Sequence, residues 1–239
     1  MATIEISAFR DCTSLTSISI PSSVTSIGVG AFAGCTSLSN IVVNKNNPVY
    51  DSRDNCNAII ETASDKLIIG CKNTYIPNTV TTIAHHAFVY ISGQTSIVIP
   101  NSVSTIEGMA FYAYDGLTSV TIPASVTNIG AGAFFQCYDI KDIYALRVSP
   151  ADYNAVKNSF YEVDLSACTL HVPAGCEAFY RACAPWSLFG NIVDDIPTGV
   201  QAPSMVNGQW SMTYDLLGRR AVQPARGIYV QKDGRKLIR

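Results

Sequence analysis

Ala8-Phe9-Arg10-Asp11-Cys12-Thr13-Ser14-Leu15-Thr16-Ser17-Ile18-Ser19-Ile20-Pro21-Ser22-Ser23-Val24-Thr25-Ser26-Ile27-Gly28 reads as one turn of a coil. Ser17-Ile18-Ser19-Ile20 alternates polar and β-branched residues with period two, the pattern of a short strand with one buried face, and Pro21 stops it because proline cannot donate to a ladder. The later Val24-x-x-Ile27 spacing turns the chain through a second corner. Working outward, Ala8-Phe9 returns 23 residues later as Ala31-Phe32, and Ala87-Phe88, Ala110-Phe111 and Ala133-Phe134 follow one another at the same 23-residue interval. A fixed period in this range marks stacked supersecondary units, each unable to bury its apolar face alone.

The columns repeat with the period. Leu15, Leu38, Leu117 and Ile140 share one; Ile18, Ile41, Ile97, Val120 and Ile143 the next; Ile20, Val43, Ile99 and Ile122 a third. Pro21, Pro77, Pro100 and Pro123 then precede Val24, Val80, Val103 and Val126, and Ile27, Ile83, Ile106 and Ile129 close the coil. Stacking such coils places parallel strands about 4.8 Å apart. The unit Ala-Phe-x-x-Cys-x-Ser-Leu-x-x-Ile-x-Ile-Pro-x-Ser-Val-x-x-Ile-Gly, nearly intact at Ala8–Gly28, resembles the BspA-type leucine-rich repeat of bacterial surface proteins. The resemblance covers roughly residues 3–146 and, in degenerate form, 150–195. It implies a mainly β or α/β solenoid, a right-handed leucine-rich repeat superhelix of 23-residue coils with one long hairpin-bearing coil, followed by a small all-β tail. Ile4 already fits the Ile27 column, so the chain is expected to start in mid-coil, as a piece of a longer secreted protein would.

The expected organisation is a solenoid over 1–195, with an insertion at 44–76 and a cap at 147–195, a linker at 196–204, and a β tail at 205–239. In the insertion, Asn57–Thr62 and Lys66–Gly70 around Ala63-Ser64-Asp65 read as a hairpin protruding from the stack. Asp51-Ser52-Arg53-Asp54-Asn55 carries Arg53 where a calcium loop needs an oxygen ligand, so Asx turns are the reading there. In the cap, Pro150–Phe160 and Glu177–Ala184 have helix chemistry, and Trp186, Leu188 and Phe189 are expected to cover the open end of the core. Beyond the linker, Gln209–Asp215, Arg219–Val222, Gly227–Gln231 and Arg235–Ile238 read as short strands. Tyr214-Asp215-Leu216-Leu217-Gly218-Arg219-Arg220 with Gly227-Ile228-Tyr229-Val230 and Gly234-Arg235-Lys236 resembles the C-terminal sorting domains of type IX secretion substrates.

Composition narrows the function classes. Of 239 residues, 48% are hydrophobic and only 14% charged, which excludes a disordered chain, while 23 Ser and 18 Thr take the place of charge. No run of about 18 apolar residues is present to span a membrane, and neither a basic n-region nor an unbroken apolar stretch follows Met1. The net charge of −2 gives no general field for nucleic acid, and is the sum of −7 over residues 1–199 and +5 over 200–239. The sequence holds no nucleophile elbow, phosphate loop, dinucleotide fingerprint or metalloprotease helix, so no catalytic residue, cofactor or metal ligand is assigned. His85-His86 falls at a solvent-edge corner, where Val29-Gly30 and Ala131-Gly132 sit in other coils. No Cys-x-x-Cys pair occurs among the eight cysteines. Cys12 and Cys35 occupy one column in adjacent coils, within disulfide reach, but Ile91, Tyr114 and Cys137 share that column, so buried thiols are favoured; Cys56–Cys71 and Cys168–Cys176 are weaker disulfide candidates.

Strand residues between the core columns must face outward: Ser17 and Ser19, Asn40 and Val42, Ser96 and Val98, Ser119 and Thr121, Asp142 and Tyr144. Stacked, they are expected to form one hydroxyl-rich ribbon about 30 Å long at the strand spacing, either merely solvated or serving as a ligand face. The resemblance implies a non-enzymatic module at the cell surface or outside the cell, adhering to host or bacterial surface proteins through the sheet face or the hairpin, with glycans as a further ligand class. The competing reading is a glycan-binding or enzyme-accessory domain whose active part lies in the insertion or in further N-terminal sequence.

Overall fold

A computed structural model describes residues 1–148, 150 and 158–197, together with the backbone of short strands between 205 and 238. Each regular coil contributes two strands, one to each of two faces of a β-solenoid, while the last two coils contribute one strand each. In chain order the first two coils give β1 (Ala2–Ile4), β2 (Ser17–Ile20), β3 (Val24–Ile27) and β4 (Asn40–Val43). The insertion gives β5 (Tyr50–Asp51), β6 (Ile59–Glu61) and β7 (Lys66–Ile69). The later coils give β8 (Thr82–Ile83), β9 (Ser96–Val98), β10 (Thr105–Ile106), β11 (Ser119–Ile122), β12 (Asn128–Ile129), β13 (Asp142–Ala145) and β14 (Thr169–Pro173). Helix α1 (Glu177–Arg181) and β15 (Asn191–Ile196) complete the stack. In the tail, β16 (Met205–Val206) pairs with β17 (Gln209–Trp210), and β18 (Thr213–Tyr214), β19 (Arg220–Ala221), β20 (Ile228–Val230) and β21 (Lys236–Ile238) form an antiparallel sheet in the order β19-β18-β20-β21.

The coil period is visible as a column of phenylalanines. Phe9 stacks on Phe32 at 5.1 Å; Phe88, Phe111, Phe134 and Phe160 follow with centroid spacings of 5.0, 5.1 and 5.2 Å and nearly parallel planes. Small residues precede each ring because the backbone hydrogen-bonds there to the next coil: the amide of Phe9 donates to Ala31 O, that of Phe88 to Ala110 O and that of Phe134 to Ser159 O. The chain reaches this geometry through left-handed backbone on both sides of the ring. Residues two before and two after the phenylalanine have positive φ, as at Gly30 (64°) and Gly34 (76°), Met109 (54°) and Ala113 (52°), and Gly132 (65°) and Gln136 (60°). Glycine adopts this region without a Cβ penalty, and non-glycine residues there cost about 1–3 kcal/mol each.

The cap continues the stack further than the sequence pattern suggests. Ser159-Phe160 takes the Ala-Phe position, and β14 and β15 add two parallel strands to the sheet of β9, β11 and β13. The expected helix at Pro150–Phe160 falls largely on residues outside those described; Phe160 itself lies in the ring column. Trp186 and Phe189 are buried and end the column by switching from stacked to edge-on contact with Phe160. Leu188 does not join them: it is 61% exposed, because the single turn Trp186–Leu188 points it away from the core.

The hairpin corrects a second expectation, since it does not protrude. β6 and β7 pair antiparallel, β5 flanks β6, and β7 pairs parallel with β8, so the hairpin extends the β8-β10-β12 sheet. Both of its faces are buried. Ile60 and Leu67 pack in the larger core, and Ile59 and Ile69 pack in a separate N-terminal core with Phe32, Leu38 and Ile41. Adjacent apolar residues in both strands are the signature of a doubly buried strand, where alternation would mark a half-exposed one. The ring column is interrupted here, and Gly70 stands in for the missing Ala-Phe: its amide donates to Ala87 O, and a Cβ at Gly70 would run into the Phe88 ring. The turn before the hairpin is the expected Asx turn, in which Asp51 Oδ1 accepts from the Arg53 amide at 3.0 Å.

Two predictions follow from the buried hairpin. Ile59→Ala and Ile60→Ala are each expected to cost about 2–5 kcal/mol in urea unfolding, as for core isoleucines and unlike exposed loop positions. The second concerns acid. Burial pushes the Asp51 carboxyl up, but hydrogen bonds from Arg53 and Thr62 outweigh it and hold it below the usual value; Lys66 and the His85 amide do the same for Glu107 against its burial. Carboxyls lowered in the folded state stabilise above their unfolded values, about 4, and that contribution is lost as pH falls through the folded values. Urea midpoints measured against pH should therefore drop at acid pH, with a shallower fall in Asp51→Asn and Glu107→Gln variants.

Candidate functional site

The outward positions of the strand face follow from register. In the five-stranded sheet Ser96, Ser119, Asp142, Thr169 and Asn191 form one column, and Val98, Thr121, Tyr144, His171 and Val193 the next. Ile97, Val120, Ile143, Leu170 and Ile192 between them are buried. In the N-terminal pair of strands Ser17 faces Asn40 and Ser19 faces Val42, all four exposed. All ten residues expected on this face are on it; the first four are exposed and the other six half-buried. They do not make one ribbon. β2-β4 and β9-β11-β13-β14-β15 are separate sheets, because the insertion replaces the intervening coil and passes through Ile76-Pro77 without strand pairing. The C-terminal patch also gains Thr169, His171, Asn191 and Val193, which the decaying repeat pattern concealed; the Leu170-x-Val172-Pro173 echo of Ile-x-Ile-Pro is the signal that marks the first two.

The chemistry on the face is concentrated at that end. His171 lies between two carboxylates: Nδ1 is 3.0 Å from both oxygens of Asp195, and Nε2 is 3.4 Å from Asp142 Oδ1. The Tyr144 ring stacks on the imidazole at 4.3 Å with planes 12° apart. Both ring nitrogens are therefore engaged from opposite sides, which fixes the imidazole as a bridge within the surface. The two carboxylates lie on opposite edges of the ring and do not converge on one point. Among the described residues no cluster of three or more His, Cys, Asp or Glu side chains is placed to hold a metal ion.

The eight cysteines are all free thiols, six of them buried, and the short bonds that four of the buried thiols donate to carbonyls show why such sites accept sulfur. Cys35 Sγ donates to Phe9 O at 3.0 Å and Cys137 Sγ to Phe111 O at 2.9 Å, the same bond one coil apart in each case; Cys168 donates to Ile140 O at 3.0 Å and Cys71 to Asn57 O at 3.2 Å. Burial pushes the Cys56 and Cys137 thiols up to about 12 and Cys168 to about 11. Cys12, expected to be buried, is exposed because no coil covers it on its N-terminal side. His85 is exposed and His86 half-buried, their rings 4.0 Å apart; His86 occupies the left-handed position (φ 60°) that glycine holds at Gly30 and Gly132. Thiol alkylation of the native protein at mildly alkaline pH, read by mass spectrometry, should modify Cys12 first and Cys183 next. Cys35, Cys56, Cys71, Cys137 and Cys168 should react only after denaturation.

Comparison with known proteins agrees with this architecture. The profile of the BspA type leucine rich repeat region matches residues 1–62 and 66–183, in six copies. A leucine-rich repeat protein from Eubacterium ventriosum superposes with a TM-score of 0.53 at 23% identity, over 77% of this chain and 50% of that one. A leucine rich cell surface protein from Faecalibacterium prausnitzii gives 0.46 at 25% identity, over 82% and 51%, and a leucine rich repeat protein of T. pallidum gives 0.39 at 22%, over 82% and 80%. The chain thus spans about half the length of the first two structures. No curated protein matches the sequence.

Proposed function

The chain belongs to the BspA type leucine rich repeat family, and from that premise we propose that it is a non-enzymatic protein-interaction module that binds its ligand on the outward face of β9, β11, β13, β14 and β15. The observation that carries this reading is the pair of outward columns over buried Ile97, Val120, Ile143, Leu170 and Ile192. They form a regular surface of hydroxyls, amides and carboxylates at strand spacing, with Tyr144 and His171 stacked at its centre as a rigid aromatic anchor. Aromatic anchors ringed by polar groups are the usual energetic centre of a protein interface. In this reading the ligands are host or bacterial surface proteins and the chain works at the cell surface or outside the cell, as its resemblance to bacterial surface proteins implies. In the same reading residues 1–195 form the binding solenoid, 196–204 the linker, and 205–239 a basic β tail resembling a type IX sorting domain at Tyr214–Arg220, Gly227–Val230 and Gly234–Lys236.

The test is a binding screen of the full chain against an array of extracellular-matrix and bacterial surface proteins, with a glycan array in parallel. The positive outcome is a retained protein whose affinity falls about tenfold or more in a Ser119→Arg/Thr121→Glu variant, which keeps net charge and alters only outward positions. Failure to retain any protein, or a retained protein indifferent to that variant, overturns the sheet-face reading.

A further inference from the structure

A second surface lies at the corner of the coils that carries the phenylalanine column, away from the sheet face, and does not rest on the reading above. The residue following the buried phenylalanine is Arg10, Ala33 or Val89 in the early coils, but Tyr112, Phe135 and Tyr161 in the later ones. Together with Tyr90 these side chains make an outer aromatic ladder, with centroids 5.1 Å apart from Tyr90 to Tyr112, 5.1 Å from Tyr112 to Phe135 and 5.3 Å from Phe135 to Tyr161. Tyr112 and Phe135 lie nearly parallel, 11° apart, so each covers a face of the other. Tyr161 is turned 48° from Phe135 and is 61% exposed, which opens its face to solvent. Tyr138, 65% exposed, donates its hydroxyl to Glu162 Oε2 at 2.8 Å, and Gln136 Nε2 donates to the same oxygen at 3.1 Å.

Tyr138 and Gln136 therefore fix the Glu162 carboxylate with two hydrogen bonds, and the exposed ring of Tyr161 is its neighbour in sequence. Asp115, Asp139 and Glu162 are exposed at these corners; segments 107–116, 130–140 and 158–163 contain no Lys or Arg, while Lys141 follows the second and Lys157 precedes the third in sequence, and Lys66 reaches the first as the ion-pair partner of Glu107. We infer that the ladder, anchored at Tyr138, Tyr161 and Glu162, docks an arginine-bearing segment of a partner protein. A guanidinium stacks on an aromatic face while its planar fork donates to a carboxylate, a combination that an ammonium matches only in charge. A lone carbohydrate platform fits less well, because such a ligand needs several open ring faces in a row and the central pair here is face-covered.

The experiment uses the full chain and fluorescein-labelled peptides of alternating Arg and Gly, alternating Lys and Gly of equal charge, and alternating Glu and Gly, with binding read by anisotropy. The Arg peptide should bind more tightly than the Lys peptide, and the Glu peptide should not bind. Tyr138→Ala/Tyr161→Ala should weaken the Arg peptide by about tenfold, Glu162→Gln should weaken it less, and Tyr161→Phe, which keeps the ring, should retain it. Ser119→Arg/Thr121→Glu on the sheet face should leave it unchanged. Circular dichroism melts of each variant establish that the fold is retained, as expected for exposed positions. Equal binding of Arg and Lys peptides, no binding of either, or an unaltered affinity in the double tyrosine variant overturns the proposal. So does an oligosaccharide from a glycan array whose binding, unlike that of the Arg peptide, is lost in the double variant.

Discussion

Everything in this molecule depends on holding successive coils one strand spacing apart. Aromatic rings at that separation stack, strand amides at that separation pair, and the two conditions are met together only if the chain returns to the same place with the same side chain every turn. The Phe9–Phe32 contact at 5.1 Å and the Phe88-to-Phe160 series at 5.0–5.2 Å are the visible form of the constraint. Its cost appears as left-handed backbone on either side of each ring, borne by glycine in some coils and by Met109, Ala113 or Gln136 in others. What the constraint frees is the outside. Outward side chains that take no part in the ring stack, such as Ser119 and Thr121, are positioned by the lattice of the coils.

The insertion shows how the lattice tolerates interruption. A coil without Ala-Phe would leave Phe88 facing a void, and Gly70 closes the gap by bringing bare backbone against the ring. The hairpin that precedes it is apolar on both sides and separates two cores, so the N-terminal coils and the remaining stack each bury their own interior against a shared wall. The outward face is split at the same place, which confines the richest surface chemistry, the Asp142–His171–Asp195 bridge with Tyr144, to the C-terminal patch.

The columns were legible in the sequence because stacking enforces local periodicity: a residue's role could be read from its distance to the nearest Phe or Pro. The ten outward positions followed from strand alternation alone. The hairpin's placement was less accessible, since β7 pairs with β8 and β6 with β5 through contacts that no period encodes, although the unbroken runs Ile59-Ile60 and Leu67-Ile68-Ile69 already argue for burial on both faces. Ser159-Phe160 escaped notice because the spacing from Phe134 is 26 residues and the small residue is serine. Its hydroxyl donates to Gly130 O at 2.9 Å, which lets it stand where alanine stands elsewhere. The aromatic corner ladder was invisible for a different reason: Tyr90 sits one position further from its phenylalanine than Tyr112 does, so the rings meet in space without sharing a column.

The thiol-to-carbonyl bonds of Cys35, Cys71, Cys137 and Cys168 have a wider consequence. A fold held by ring stacking and parallel ladders, with its interior sulfur already committed as hydrogen-bond donor, owes none of its shape to covalent cross-links. No coil needs an S–S bond to close, so the fold places no demand of its own on the redox potential around it, and Cys12 and Cys183 are the thiols least shielded from that medium.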